Sequence, residues 1–103
     1  MTAPLSLSAS SALAPAPVRH PQTVQALFFV TAQADPGIAP RLIEPFAKRG
    51  LVPVRAHISS EDGDGETISA DLRVRGVTRD TAGSIEKALR AIIGMRQVIA
   101  LVE

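Results

Sequence analysis

"ADPGIAPRLIEPFAKRG", Ala34–Gly50, is the stretch on which the reading of this chain turns. Ile38, Leu42 and Phe46 recur at i, i+4 and i+8, and Ala39, Ile43 and Ala47 widen the same stripe. Arg41, Glu44, Lys48 and Arg49 fall on the other side, so the pattern is that of an amphipathic helix. Glu44 precedes Lys48 by one turn, the favourable order for an ion pair. Gly50 stands where a left-handed residue ends a helix, and Leu51 is the apolar residue expected just after it. Two of the prolines fit a helix starting at Pro36 or Gly37, because the first four N–H groups of a helix have no partner. Pro45 does not fit so easily. It deletes the bond to the Arg41 carbonyl, which costs about 3 kcal/mol in a regular helix, and a kink is expected there.

Working outward, Val24–Gln33 ("VQALFFVTAQ") is rich in β-branched and aromatic residues. Val24, Ala26, Phe28 and Val30 share one face, while Leu27 and Phe29 lie on the other. A strand apolar on both faces belongs in the middle of a sheet. After the helix, Leu51–Ser59 alternates, with Val52, Val54, Ala56 and Ile58 against Pro53, Arg55, His57 and Ser59. Pro53 marks an edge strand. Ser60–Glu66 is a glycine-containing hairpin connection. Thr67–Arg75 alternates again. Thr78–Ile93 reads as a helix capped by Thr78 or Asp80, with Ala82, Ile85, Leu89 and Ile92 buried and Gly94 at its end. Met95–Val102 is a last strand.

The order strand, helix, strand, strand, helix, strand folds into a four-stranded antiparallel sheet with both helices on one face. The expected class is α+β, ferredoxin-like βαββαβ. Residues 1–22 are dominated by Ala, Ser and Pro and sustain no hydrophobic period, so a disordered tail is expected before one domain at 23–103. The "ALA" within this segment resembles a signal-peptide cleavage site, but no Lys or Arg precedes it.

Composition narrows function. The chain has 103 residues, 46% of them hydrophobic, and a formal net charge of +1. That balance gives no electrostatic reason to expect nucleic acid or an anionic membrane as partner. Cysteine is absent, which removes disulfides, zinc–thiolate sites and thiol nucleophiles and is compatible with a reducing, cytoplasmic setting. Trp and Tyr are absent too, so an aromatic platform for single-stranded RNA is not expected. No apolar run is long enough for a transmembrane helix.

The strand leading into the pattern D-P-G-I, then L-I-x-x-F-A-x-R-G-L, followed by strand, hairpin, strand, helix and strand, resembles the ACT domain, a small regulatory module that binds amino acids and similar ligands. Asp35–Leu51 most resembles the regulatory small subunit of acetohydroxy acid (acetolactate) synthase of branched-chain amino acid biosynthesis. The resemblance covers Thr23–Glu103. It implies a non-catalytic module that senses an amino acid or similar ligand without a cofactor and modulates a catalytic partner subunit. It also implies a ligand site at Ala34, Asp35, Pro36, Gly37 and Ile38, with Val52 across a homodimer interface. Free N–H groups at the start of the first helix suit a carboxylate, and a glycine permits close approach. In the branched-chain-sensing small subunits, asparagines help hold the effector at the positions of Ala34 and Val52; this chain contains no asparagine. The dimer is expected through the second strand, at Val54, Arg55, Ala56, His57 and Ile58, because an unpaired alternating edge is a template for pairing. The alternative is a ligand-free dimerisation or interaction module of the same fold.

Other constellations carry less. His57 has no nucleophile or orienting carboxylate placed by spacing. "EDGDGE", Glu61–Glu66, alternates carboxylates but lacks the glycine and glutamate spacing of a calcium loop, and no metal site is expected. Arg73 and Arg75 read as a solvated or interfacial face. An acylphosphatase-like reaction would need an asparagine, and an RNA-recognition sheet would need aromatics where Asp71, Arg73 and Arg75 stand. No enzymatic activity is expected.

Overall fold

The computed structural model describes residues 22–60 and 65–103. The expectations for residues 1–21 and for most of the Ser60–Glu66 connection, including the calcium-loop question, lie outside the described residues.

Strand β1 (Thr23–Gln33) is followed by α1 (Ile38–Ala47), β2 (Arg55–Ser59), β3 (Thr67–Thr78), α2 (Arg79–Arg90) and β4 (Met95–Val102). The sheet order is β2-β3-β1-β4, all antiparallel. This is the expected ferredoxin-like βαββαβ fold, with β1 central and β2 at an edge. The side chains of Val24, Ala26, Phe28 and Val30 point under the helices and are buried with Leu72, Val74 and Val98. Against them pack Ile38, Leu42 and Phe46 of α1 and Ala82, Ile85 and Leu89 of α2. Phe28 and Phe46 meet edge to face, ring centres 6.1 Å apart.

The end of α1 is built as its sequence demands. The Leu51 N–H donates to the Phe46 carbonyl at 2.9 Å and the Gly50 N–H to Ala47 at 3.0 Å, with Gly50 at φ +68°. This paired arrangement satisfies carbonyls that the helix leaves open. Pro45 is itself buried, three residues after Leu42, while Ala47 is exposed. The buried stripe therefore runs through the proline instead of Ala47. At the other helix, the Thr78 hydroxyl accepts from the Thr81 N–H at 3.1 Å, so Thr78 is the cap and α2 leaves β3 with no intervening loop. β3 runs three residues beyond its expected end. Gly76, at φ +76°, is the extra residue where the register against β1 shifts between Val24 and Gln25.

Two expected elements are shorter. β2 begins at Arg55, not Leu51, and Val52 is 83% exposed. Gly50 turns the chain, Pro53 has no donor for a ladder, and the first main-chain bond to β3 runs from the Val54 N–H to the Arg73 carbonyl at 2.8 Å. Val52 and Val54 are thus outside the inward-facing set, and only Ile58 of that set packs against the core. α2 ends at Arg90 instead of Ile93. Ile92 still packs on the core, but Ile93 is 88% exposed.

Ladder parity fixes which main-chain groups remain at the two edges. Gln25 and Glu103 exchange both backbone bonds, at 3.0 and 2.9 Å. Odd-numbered residues of β4 therefore bond to β1. The Arg73 carbonyl, in turn, accepts from β2. On β2 the N–H and C=O groups of Ala56 and Ile58 point outward, and on β4 those of Val98, Ala100 and Val102 do so.

Candidate functional site

The turn between β1 and α1 closes on itself through Asp35. Its carboxylate Oδ2 accepts from the Gly37 N–H at 3.2 Å and from Arg41 Nη1 at 3.1 Å. Its carbonyl accepts from the Ile38 N–H at 2.9 Å. The Arg41 N–H reaches the Gly37 carbonyl at 3.4 Å, and Pro40 has no N–H. Of the donors expected to be open at the start of α1, the Ala39 amide is the one left. The chain supplies its own carboxylate where a ligand carboxylate was expected to sit.

Gly37 has φ −85°, which any residue can adopt. Its reason is space: a Cβ there would lie 3.1 Å from the Arg41 guanidinium and 3.2 Å from the Asp35 carboxylate. Glycine lets that ion pair lie against the backbone.

Beside this turn is a hollow of about 340 Å³ lined by Gln33, Ala34, Asp35, Arg41, Ile93 and Gly94. The volume is in the range of small-ligand sites. Two of the six residues assigned to the site by the resemblance, Ala34 and Asp35, line it. Pro36 and Gly37 form the adjoining turn, and the Ile38 side chain is core, 1% exposed. Val52 is elsewhere. Arg55 is level with Arg73 and Leu27, so Val52 leaves the sheet near the start of β1. From Leu27 to Gln33 β1 advances about 20 Å. Sequence reasoning missed Arg41 and Ile93. Helical spacing put Arg41 on the solvent side, and Ile93 read as part of α2.

The face of the sheet away from the helices has three rows: Ser59, Ser69, Thr31, Gln97; His57, Asp71, Phe29, Ile99; and Arg55, Arg73, Leu27, Leu101. Asp71 anchors its polar half. Oδ1 accepts from Arg73 Nε at 3.0 Å, and Oδ2 from Arg73 Nη2 and Arg55 Nε, each at 3.0 Å. The Arg73 bonds hold the Asp71 carboxyl below the usual carboxylate range; burial works against this and Arg55 adds to it. The same partnership raises the Arg73 guanidinium. Serine, histidine and aspartate are neighbours on this face, yet no hydrogen bond joins His57 to Asp71 or to either serine. Both carboxylate oxygens face arginines, so none of the described carboxylates orients the imidazole as a general base. Among the described residues no group of three His, Asp or Glu side chains could hold a metal, and no helix is long and apolar enough to cross a membrane.

No protein-family model matches the sequence, and no curated protein matches it. Solved structures do. The crystal structure of the ACT domain from GTP pyrophosphokinase of Chlorobium tepidum superposes with a TM-score of 0.66 at 14% identity, over 78% of this chain and 100% of that one. An uncharacterized protein from Thermotoga maritima gives 0.64 at 12% identity, over 79% and 98%. The ligand-free regulatory subunit of aspartate kinase from Thermus thermophilus gives 0.56 at 20% identity, over 81% of this chain and 57% of that one. The finer likeness to an acetohydroxy acid synthase small subunit rests on the sequence pattern of Asp35–Leu51 alone. At these identities the fold is what the likeness establishes: the described residues fold as ACT domains do.

Proposed function

We propose that this protein is a non-catalytic regulatory module of the ACT type, which senses a free amino acid or a similar zwitterion and modulates a partner enzyme in the cytoplasm. The observation that carries this reading is the Asp35–Arg41 pair at the mouth of the hollow. Asp35 and Arg41 are about half exposed and 3.1 Å apart. An incoming zwitterion presents an ammonium to Asp35 and a carboxylate to Arg41 and the Ala39 amide. The exposed Ile93 offers an apolar wall for its side chain. An ion pair in water contributes little, about 0–1 kcal/mol, so exchanging it for two ligand contacts costs little. The module then resembles the acetohydroxy acid synthase small subunit in role, and the catalytic subunit of such an enzyme is the partner of choice.

The site is completed in a homodimer. Val52 and Asp35 lie at opposite ends of one sheet. Isologous antiparallel pairing of two β2 strands, through the outward groups of Ala56 and Ile58, carries Val52 of a second copy toward the Asp35 end. Arg55 and His57 then lie near the two-fold axis.

A second reading is favoured by one observation. Asp35 already satisfies the Gly37 and Ile38 amides, as it would in a turn that binds nothing. In that reading the chain is a ligand-free dimerisation module.

Thermal denaturation with a panel of free amino acids separates the two. A sensor shows a rise in Tm that grows with the logarithm of ligand concentration, about 2.7 kcal/mol of stabilisation at a hundredfold excess over Kd. Gly37→Val should push the Asp35–Arg41 pair apart and abolish that rise while leaving the dimer intact. Ala56→Pro should remove an outward donor, yield monomer and weaken binding. A flat response to the whole panel selects the ligand-free module, and a monomer at high micromolar concentration overturns the shared site.

A further inference from the structure

The second edge of the sheet is the more exposed to association. β4 has eight residues against five in β2. From Gln97 to Val102 it carries no charge and no proline. Ile99, Leu101 and Val102 are exposed, and the main-chain groups of Val98, Ala100 and Val102 face outward. An apolar edge of this length pairs readily with another strand unless something blocks it.

The block comes from α2. Arg90 Nη2 donates to the Val98 carbonyl at 2.9 Å. Its guanidinium is held there by Glu86, whose Oε2 accepts from Nε at 3.0 Å and Nη2 at 2.8 Å. One acceptor in the middle of the free edge is therefore already occupied by a cation. We propose that Arg90 is a stop that keeps a second copy of this chain off β4, so that copies pair only at β2.

The geometry makes the stop effective. A pairing strand lies about 4.8 Å from β4 and would need the outward Val98 carbonyl as an acceptor, the group that Arg90 Nη2 already bonds at 2.9 Å. Isologous pairing centred on Ile99 sets Val98 opposite Ala100 of the second copy. The two Val98 carbonyls are then about 8 Å apart, two residues along and one strand across. Two guanidinium groups would meet within a screening length. β2 has nothing comparable: Arg55 is turned onto the sheet face by Asp71, and Ala56 and Ile58 carry no polar side chain. An arginine at the last position of α2 also complements the helix dipole, but that alone would not aim it at a strand carbonyl.

Sedimentation velocity of the full chain over a wide concentration range tests this. Arg90→Met keeps the apolar stem and removes the cation. It should form species at least twice the wild-type mass, growing with concentration. Adding Ile99→Lys to that variant restores a charge at the edge and should return it to wild-type behaviour. Arg90→Met that sediments like the wild type, or association that Ile99→Lys fails to reverse, overturns the proposal. Should Arg90→Met not fold, Glu86→Gln loosens the guanidinium and must show the same gain in mass. A monomeric wild type would refute pairing at β2, and the gain in mass of Arg90→Met over that monomer would still decide the stop at β4.

Discussion

Phe46 is the side chain on which the α1–sheet contact depends, and its removal can be worked through in numbers. The ring is completely buried and meets Phe28 edge to face, with planes at 71°. Phe46→Ala removes the buried ring and leaves a cavity under α1, a loss of about 3–5 kcal/mol. Phe46→Leu keeps most of the volume but loses the aromatic pair, about 0.5–1.5 kcal/mol, plus a small misfit, for about 1–2 kcal/mol in all. A domain of this size has a stability of about 5–10 kcal/mol, and each kcal/mol moves Tm by about 4–8 °C. Phe46→Leu should therefore melt about 5–15 °C below wild type, and Phe46→Ala at least about 12 °C below. Phe29, one residue from Phe28 but on the open face, is the control. Phe29→Ala should cost clearly less, because the ring is only partly covered. Circular dichroism melts of all three variants decide the matter. If Phe29→Ala proves costlier than Phe46→Ala, the open face is a core surface in the working molecule, and the assignment of layers is wrong.

Two further outcomes concern acid stability and the helix. Asp71 titrates below its ordinary range when folded, so the unfolded chain binds its proton first as pH falls. Its contribution is full above the ordinary carboxylate pKa and is lost as pH drops through the lowered folded value. Asp71→Asn should therefore lower Tm near neutrality, where the contribution is full, and approach wild type at low pH, flattening the acid limb of a Tm-against-pH curve; an unaltered acid limb would assign it to other carboxylates. Pro45→Ala returns an amide that can reach the Arg41 carbonyl but trims a buried ring, and the melt should stay within about 1 kcal/mol of wild type. Loss of dimer or ligand response in that variant would show that the proline shapes the interface.

Much of this architecture can be read from residue order because local chemistry and tertiary packing agree. The two apolar faces of β1 and the Gly50–Leu51 end of α1 each point to one arrangement, and the structure adopts it. Thr78 was one of two candidate caps, and the choice between it and Asp80 came from the fold. Disagreement appears where a single residue overrides a period. Pro53 lets Leu51–Val54 alternate without pairing, so the sequence period extends β2 by residues that never join the sheet. Pro45 takes a buried place that helical spacing gave to Ala47. The turn at Asp35 was legible from Asp-Pro-Gly and the resemblance. Its partner Arg41 was not, because a side chain folding back six residues leaves no periodic trace. Arg90 on Val98 is invisible for the same reason: only the assembled sheet brings a helix side chain to that carbonyl.

The placing of β1 between β3 and β4 also sets an order of events during folding. Ser59 finds Ser69 ten residues away, whereas Thr31 must find Gln97 sixty-six residues away. By the logarithmic cost of loop closure, the second contact is about 1.7 kcal/mol less favourable in chain entropy before any packing rewards it. The β2–β3 hairpin should therefore form early, and β4 should zip onto β1 near the end. The most deeply buried strand of the sheet is made first and waits longest for its neighbours. Stopped-flow refolding would expose this sequence of steps: Ala70→Gly in the hairpin should slow folding, whereas Val98→Ala should mainly hasten unfolding.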